Sequence, residues 1–423
     1  MVGLAAAGVL VLVWATPVTG ATIECISRAP DGSPANGASF VSAVSADGRV
    51  VAYASEASNL VAGDENGMAD VFVHAREPGT TERVSVGGDG RGGDGLSAGA
   101  ALSGDGRFVA FASLASNLVP DDTNGVADVF LRDRAAGTTE RVSVGADAAQ
   151  ADGSSFGQVS ISADGRFVAF RSFAANLVAD DTNGVTDVFV RDREAGTTER
   201  VSVGVHGQGA GMSFWPSLSA DGDAVAFASA ADNLVAHDAN RAIDVFVRNR
   251  SAQTTERIST AHPGRESTNA SVGFPMLSGD GAVVAFSSRA RELLPDGEDD
   301  NGQIDLLVRV RAQAKTTRVS VAADGAEADG GSVEGALSGD GRFVVFHSVA
   351  ANLVAGDTNG VADVFARDRE TGGLSRIVAG DAATYLSGAA VSETGGVVTV
   401  YGEAANLVDG DTNGVSDVFV WLR

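Results

Sequence analysis

The residues best suited to chemistry stand in a phrase, D-x-N-G-x-x-D-V-F, that returns seven times. Its two aspartates and its asparagine are Asp64, Asn66 and Asp70 in the first copy and Asp122, Asn124 and Asp128 in the second. The third and fourth copies supply Asp181, Asn183 and Asp187, then Asp238, Asn240 and Asp244. The last three supply Asp299, Asn301 and Asp305, Asp357, Asn359 and Asp363, and Asp411, Asn413 and Asp417. Each triplet offers three side-chain oxygens, and a carbonyl such as that of Val126 would add another. Calcium takes about six to eight oxygens in a flexible cage, so each loop is a candidate structural calcium site. A second reading needs no ion. Asn-Gly favours a tight turn, and Asp or Asn side chains brace loops by accepting hydrogen bonds from backbone N–H groups two residues on. In the fourth copy Arg241 replaces the glycine, yet Asp238, Asn240 and Asp244 persist. The turn brace is the preferred reading and calcium the alternative.

Other chemistry is sparse. The five histidines, His74, His206, His237, His262 and His347, occupy different repeat positions and make no H-x-x-x-H or H-E-x-x-H spacing, so zinc is not expected. His347 stands where other copies carry Ala, Arg or Ser, and reads as a core or channel residue. No G-x-S-x-G elbow is present, and no catalytic residue and no cofactor other than calcium is assigned. Large apolar groups at Phe214-Trp215-Pro216 and Phe274-Pro275 would suit a binding face, with core packing the preferred reading.

The elements that must hold these residues are strands. The first aspartates are spaced by 58, 59, 57, 61, 58 and 54 residues, and such a period marks a repeat architecture. Each unit has four short pieces rich in Val, Phe, Thr and Ser, bounded by Gly and Asp. The pairs Asp47-Gly48, Asp105-Gly106, Asp164-Gly165, Asp221-Gly222, Asp280-Gly281 and Asp340-Gly341 predict hairpins, with Thr394-Gly395 in the seventh unit. The second piece, Arg107 to Ser113 in unit two, is apolar on both faces. A strand buried on both sides belongs to a sheet packed between sheets. The prediction is an all-β, seven-bladed β-propeller of four-stranded blades, with six or eight blades as the lesser alternatives. Unit seven stops after its third strand. Residues 22–27, Thr-Ile-Glu-Cys-Ile-Ser, align with Thr139-Glu140-Arg141-Val142-Ser143. The N-terminal strand is therefore expected to complete the last blade and close the ring.

The phrases Ser162 to Ser172, S-A-D-G-R-F-V-A-F-R-S, and Asp187 to Arg193, D-V-F-V-R-D-R, resemble the WD-like propeller repeat of the TolB type. The resemblance covers residues 22 to 423. It implies an exported propeller, in a family that spans periplasmic TolB proteins, peptidase domains and sugar-polymer lyases. Seven blades here, and a longer loop before the third strand, depart from TolB itself.

Charge narrows the partners. With 55 acidic against 30 basic residues the net charge is −25. Nucleic acid, which needs clustered Lys and Arg, is not an expected partner. The apolar run from Gly3 to Ala15, followed by Pro17 and small residues to Ala21, reads as a signal peptide over residues 1–21 and is short for a membrane span. The domain is then residues 22–423, in a secreted, periplasmic or cell-surface monomer without stable membrane insertion. Cys25 is the one cysteine, so no intramolecular disulfide can form.

The expected role is a non-enzymatic binding or scaffold module for protein or polysaccharide. The first alternative is a propeller-fold polysaccharide lyase or hydrolase, which a cluster of His, Arg and Tyr at one channel mouth would support. The second is a surface-adhesion protein.

Overall fold

The computed structural model describes residues 22–205, 207–261, 273–295, 299–380 and 386–423. The expected signal segment lies outside them. Seven four-stranded antiparallel sheets form the blades of a propeller. Blade two shows the unit: Ser97–Leu102, Phe108–Ser113, Asp128–Asp133 and Thr138–Arg141, from the central channel outward. The other second strands are Val50–Ser55, Phe167–Ser172, Ala224–Ser229, Val283–Ser288, Phe343–Ser348 and Val397–Gly402. In blade seven the outer strand is Thr22–Cys25, antiparallel to Asp417–Leu422 with Thr22 opposite Leu422 and Cys25 opposite Phe419. The expected closing strand is therefore in place.

The core is divided among the gaps between blades. Val71, Val73 and Val84 of blade one pack against Val109, Phe111 and Phe130 of blade two. Val418 and Val420 of blade seven pack in the same way against Val51, Tyr53 and Phe72 of blade one. Second and third strands have a neighbouring sheet on each side, which is why Val109, Ala110, Phe111, Val129 and Phe130 are all fully buried. Within a blade, Phe111 and Phe130 stack across the strand pair at 6.1 Å between ring centroids, an arrangement repeated by Phe170 with Phe189 and by Phe346 with Phe365.

The hairpins joining first and second strands do more than reverse the chain. Ser103 Oγ and the Arg107 N–H both donate to Asp105 Oδ1, at 2.7 and 2.9 Å, and lock the turn. Gly165, at φ 77°, meets the preceding blade so closely that a Cβ would lie 2.3 Å from Phe108 Cδ2. The glycine is required by packing between blades as well as by backbone conformation. The turns are also linked in a circle. The N–H of Ala46 donates to Gly104 O, Gly104 to Ala163, Ala163 to Ala220, Ala220 to Gly279 and Gly279 to Gly339, at 2.7 to 2.9 Å. Asp340 then donates to Glu393 O, and Glu393 to Ala46 O, both at 3.0 Å, which completes the ring. The opposite end of the channel carries the loops between second and third strands.

Candidate functional site: rim loops and channel mouth

The D-x-N-G loops form seven separate stations around the rim, and the ring keeps them apart. In blade two Asn124 Nδ2 donates to Asp128 Oδ2 at 2.7 Å and to Ala151 O at 3.1 Å, tying the loop to the connection into blade three. Asn124 Oδ1 accepts the Val126 N–H at 3.3 Å. Asp128 Oδ1 accepts Ser143 Oγ at 2.5 Å, and Ser143 Oγ accepts the Val129 N–H. The same frame holds Asn66 to Asp70, Asn183 to Asp187, Asn240 to Asp244, Asn359 to Asp363 and Asn413 to Asp417. In blade five Asn301 donates to Ala328 O while Asp305 is held by Ser320. Arg241 adopts φ 55°, close to the 68° of Gly125. The side-chain brace thus imposes the left-handed turn even where glycine is missing.

The positive charge at these stations is an arginine that the sequence reading did not connect with them. Arg141, from the outer strand of blade two, lies 3.3 Å from Asp122 and 3.7 Å from Asp128. Arg83 bridges Asp64 and Asp70, Arg200 bridges Asp181 and Asp187, and Arg257 bridges Asp238 and Asp244. Arg318 joins Asp299, Asp305 and Glu327, and Arg376 joins Asp357 and Asp363. A guanidinium therefore occupies the place between two carboxylates that a cation would take. The signal was present in the recurring T-T-E-R strands. In blade seven the matching outer-strand residue is Cys25. Its thiol is pushed up to about 11, first by burial and then by Asp417. Burial also raises Asp128, Asp187 and Asp417 above the usual carboxylate range.

The second feature is the channel, a cavity of about 920 Å³ bordered by the first strands. The ring position that matters is the fifth residue of each second strand, always paired with the residue after the first Asp of the third strand. Blades one, two and four carry Ala54, Ala112 and Ala228 there, and blade five Ser287. Blade three carries Arg171, blade six His347 and blade seven Tyr401, opposite Val188, Val364 and Val418. Arg171 and Tyr401 line the channel, while His347 is 3% exposed within the wall. The Arg171 guanidinium lies 4.3 Å over the Phe156 ring and its Nε donates to Phe156 O at 3.2 Å. Trp215 and Phe274 also line the channel, with ring centroids 4.5 Å apart. They are half-buried wall residues and belong to none of the packed clusters between blades. The core-packing reading of these aromatics does not describe their position.

The remaining predicted features are dispersed. His74 Nδ1 is 3.0 Å from Thr81 Oγ1, at the outside of blade one. His206 and His262 lie outside the described residues. Among the described residues, no group of three His, Cys, Asp or Glu side chains is placed to hold a metal ion, and no helix is long and apolar enough to cross a membrane.

No family model matches the chain, and no curated protein matches it. Solved structures do. Oligogalacturonate lyase from Vibrio parahaemolyticus aligns over 95% of this chain and 96% of its own, at 12% identity and TM-score 0.56. An oligogalacturonate lyase structure in complex with manganese aligns equally far, at 11% identity and TM-score 0.56. The β-propeller domain of the trilobed protease from Pyrococcus furiosus aligns over 91% and 95%, at 11% identity and TM-score 0.54. That domain is described as having an open velcro topology, whereas here the N-terminal strand closes blade seven. TolB from Acinetobacter baumannii covers 92% of this chain and 79% of its own, at 12% identity and TM-score 0.41. These comparisons correct the expectation of a non-enzymatic scaffold. The propellers that align over 95% of the chain are lyases; of the Arg, His and Tyr that were to mark an enzyme, Arg171 and Tyr401 line the channel and His347 is buried in the wall. What the chain has in common with the lyases and the protease domain is the fold, a β-propeller.

Proposed function

We propose that the chain is a carbohydrate-active propeller that cleaves an acidic oligosaccharide at the channel mouth, by elimination next to a sugar carboxylate. The observation that carries this is that Arg171 and Tyr401 replace small residues at equivalent second-strand positions and both line the channel. In such an elimination a base removes the proton from the carbon beside the carboxylate. The glycosidic C–O bond then breaks, and the leaving oxygen takes a proton. Arg171 suits the carboxylate, because a guanidinium pairs bidentately and stabilises charge that grows there. Tyr401, which lines the channel, is the side chain available to carry the proton, and His347 stands buried in the wall of the adjacent blade.

The manganese of the lyase neighbour has no matching donor set here. The described channel wall contributes a cation, Arg171, with a phenol, an amide and serines, and divalent ions seek carboxylate or imidazole groups. Calcium in the rim loops would have to displace an arginine in six blades, which favours the brace. The proposal includes export, from the apolar run at residues 3–15, and a monomeric enzyme.

The test is incubation with uronate oligomers, following the ultraviolet absorbance of unsaturated product. Wild type should generate it, and Arg171→Ala should lose at least about 100-fold, the usual size of a lost charge-stabilising donor. New reducing ends without that absorbance would make the enzyme a hydrolase. No cleavage of any acidic or neutral oligomer would refute the enzyme reading.

A further inference from the structure

The first strands of blades one, two, four, six and seven are interrupted by bulges, and those of blades two, four and seven place one residue each against the channel. The register slips between Ala98 and Ala101, between Phe214 and Ser217, and between Ser387 and Ala389. Blades two and seven put Gly99 and Gly388 there, at φ 72° and 51°, and blade three has Gly157 at φ 83°. Blade four puts Trp215 there, at φ 56°. A left-handed backbone is strained for a bulky side chain and persists only where the surroundings enforce it, commonly at functional sites. Blade five aligns Phe274-Pro275 with Trp215-Pro216, so two adjacent blades carry an aromatic residue followed by proline at this position.

We propose that Trp215 and Phe274 form a stacking platform for a pyranose ring, and that with Arg171 they select an acidic oligosaccharide over a neutral one. This rests on the reading of the channel as a carbohydrate site. The Trp215 ring is fixed from two sides. Phe274 meets it at 4.5 Å and 51°, and Phe214 meets it edge-on at 4.5 Å and 82°. Such aromatic contacts set a ring plane, and the plane belongs to the channel wall. A sugar ring has an apolar C–H face that an indole covers well, and a uronate adds a carboxylate at its edge. Arg171 stands in the neighbouring blade and lines the same cavity, its guanidinium already seated on Phe156. An aromatic face beside a cation fits a ring that is apolar on its face and anionic at its edge. It gives a neutral sugar only half of its contacts.

The experiment is a titration of tryptophan fluorescence on the full chain with a galacturonate trimer and a neutral galactose trimer. It compares wild type with Trp215→Gly, Trp215→Phe and Arg171→Ala, and includes thermal melts and steady-state kinetics. Wild type should show a saturable change that is at least tenfold tighter for the acidic trimer. Trp215→Gly should lose the signal and raise KM at least tenfold with a smaller effect on kcat. It should melt no lower than wild type, because glycine adopts this backbone freely. Trp215→Phe should keep most of the affinity by turnover, and Arg171→Ala should erase the preference for acid. If Trp215→Gly melts several degrees lower and turns over the trimer with unchanged KM, the tryptophan is packing and the platform is overturned. Turnover by wild type with no fluorescence response overturns the platform alone. A saturable acidic-sugar signal without any turnover sustains the platform and sinks the lyase reading.

Discussion

Cys25→Arg should stabilise the protein. In six blades an arginine lies between two rim-loop aspartates, and in the seventh Cys25 takes its place beside Asp411 and Asp417. Asp417 is 1% exposed, and its hydrogen bonds come from Ser27 and Asn413. Burial raises its pKa, followed by smaller effects that include the charge of Asp411. A guanidinium placed as Arg141 is, 3.3 and 3.7 Å from its partners, gains about 4 kcal/mol from each contact at an effective dielectric near 20. Desolvating the incoming guanidinium costs several kcal/mol, and the charge of Arg28 already acts on both carboxylates, so the net gain is no more than about 2 kcal/mol. In a chain of this size that is about 2–4 °C in melting temperature. The gain depends on ionised carboxylates. A raised Asp417 pKa means that the native state holds its proton more tightly than the unfolded chain, so this group's contribution to stability falls as pH rises through its folded value. The benefit of Cys25→Arg should therefore be full near neutral pH and shrink as the medium is acidified toward the carboxylate range. Denaturant titrations at several pH values, with Arg141→Ala as the reverse perturbation, measure both. Breaking a buried pair should cost about 3–5 kcal/mol. A neutral Cys25→Arg together with an Arg141→Ala loss under about 0.5 kcal/mol would refute the role given to these arginines.

Melting with millimolar calcium and with chelator should give the same curve, since a ligand specific to the folded state must raise the midpoint; a calcium-dependent rise would show that the rim loops take an ion after all. Deleting residues 22–28 should expose the Asp417–Leu422 edge, lower the midpoint of a urea titration and promote aggregation, whereas removing the exposed tip of a rim loop should do neither. Gly165→Ala should cost more than about 1–3 kcal/mol, because backbone strain adds to a Cβ driven into Phe108, and equilibrium unfolding reads it directly. In acid, the bidentate contact of Arg107 holds Asp133 down to about 2. The stability from this pair is present above the ordinary carboxylate value and is lost as pH falls toward 2, so Asp133→Asn should flatten that limb of the acid melt.

The sequence made the blades legible because each local signal agreed with the others. Asp-Gly turns, doubly apolar second strands and a period near 58 residues pointed to one architecture, and the missing fourth strand located the closure. The rim loops were legible only in part. Asn124 and Asp128 sit in one phrase, but Arg141 reaches them from the next strand, and that pairing becomes visible only once register places the outer strand beside the third. The channel was harder still. Arg171, His347 and Tyr401 lie in blades three, six and seven, and their common ring position emerges from the pairing of second and third strands. Trp215 read as core because an aromatic beside an apolar strand usually is one. Its departure from the glycines at the same bulge appears when the first strands are compared by register.

The circle of hydrogen bonds joining the hairpin turns bears on which end of the molecule can recognise a guest. Each turn spends one backbone donor and one acceptor on its two neighbours, so the main chain there has little left with which to recognise a guest. The hairpin end is left with few backbone groups for recognition, while cation, phenol and indole all gather at the other end. Recognition of a guest then falls to the side chains at the rim-loop end.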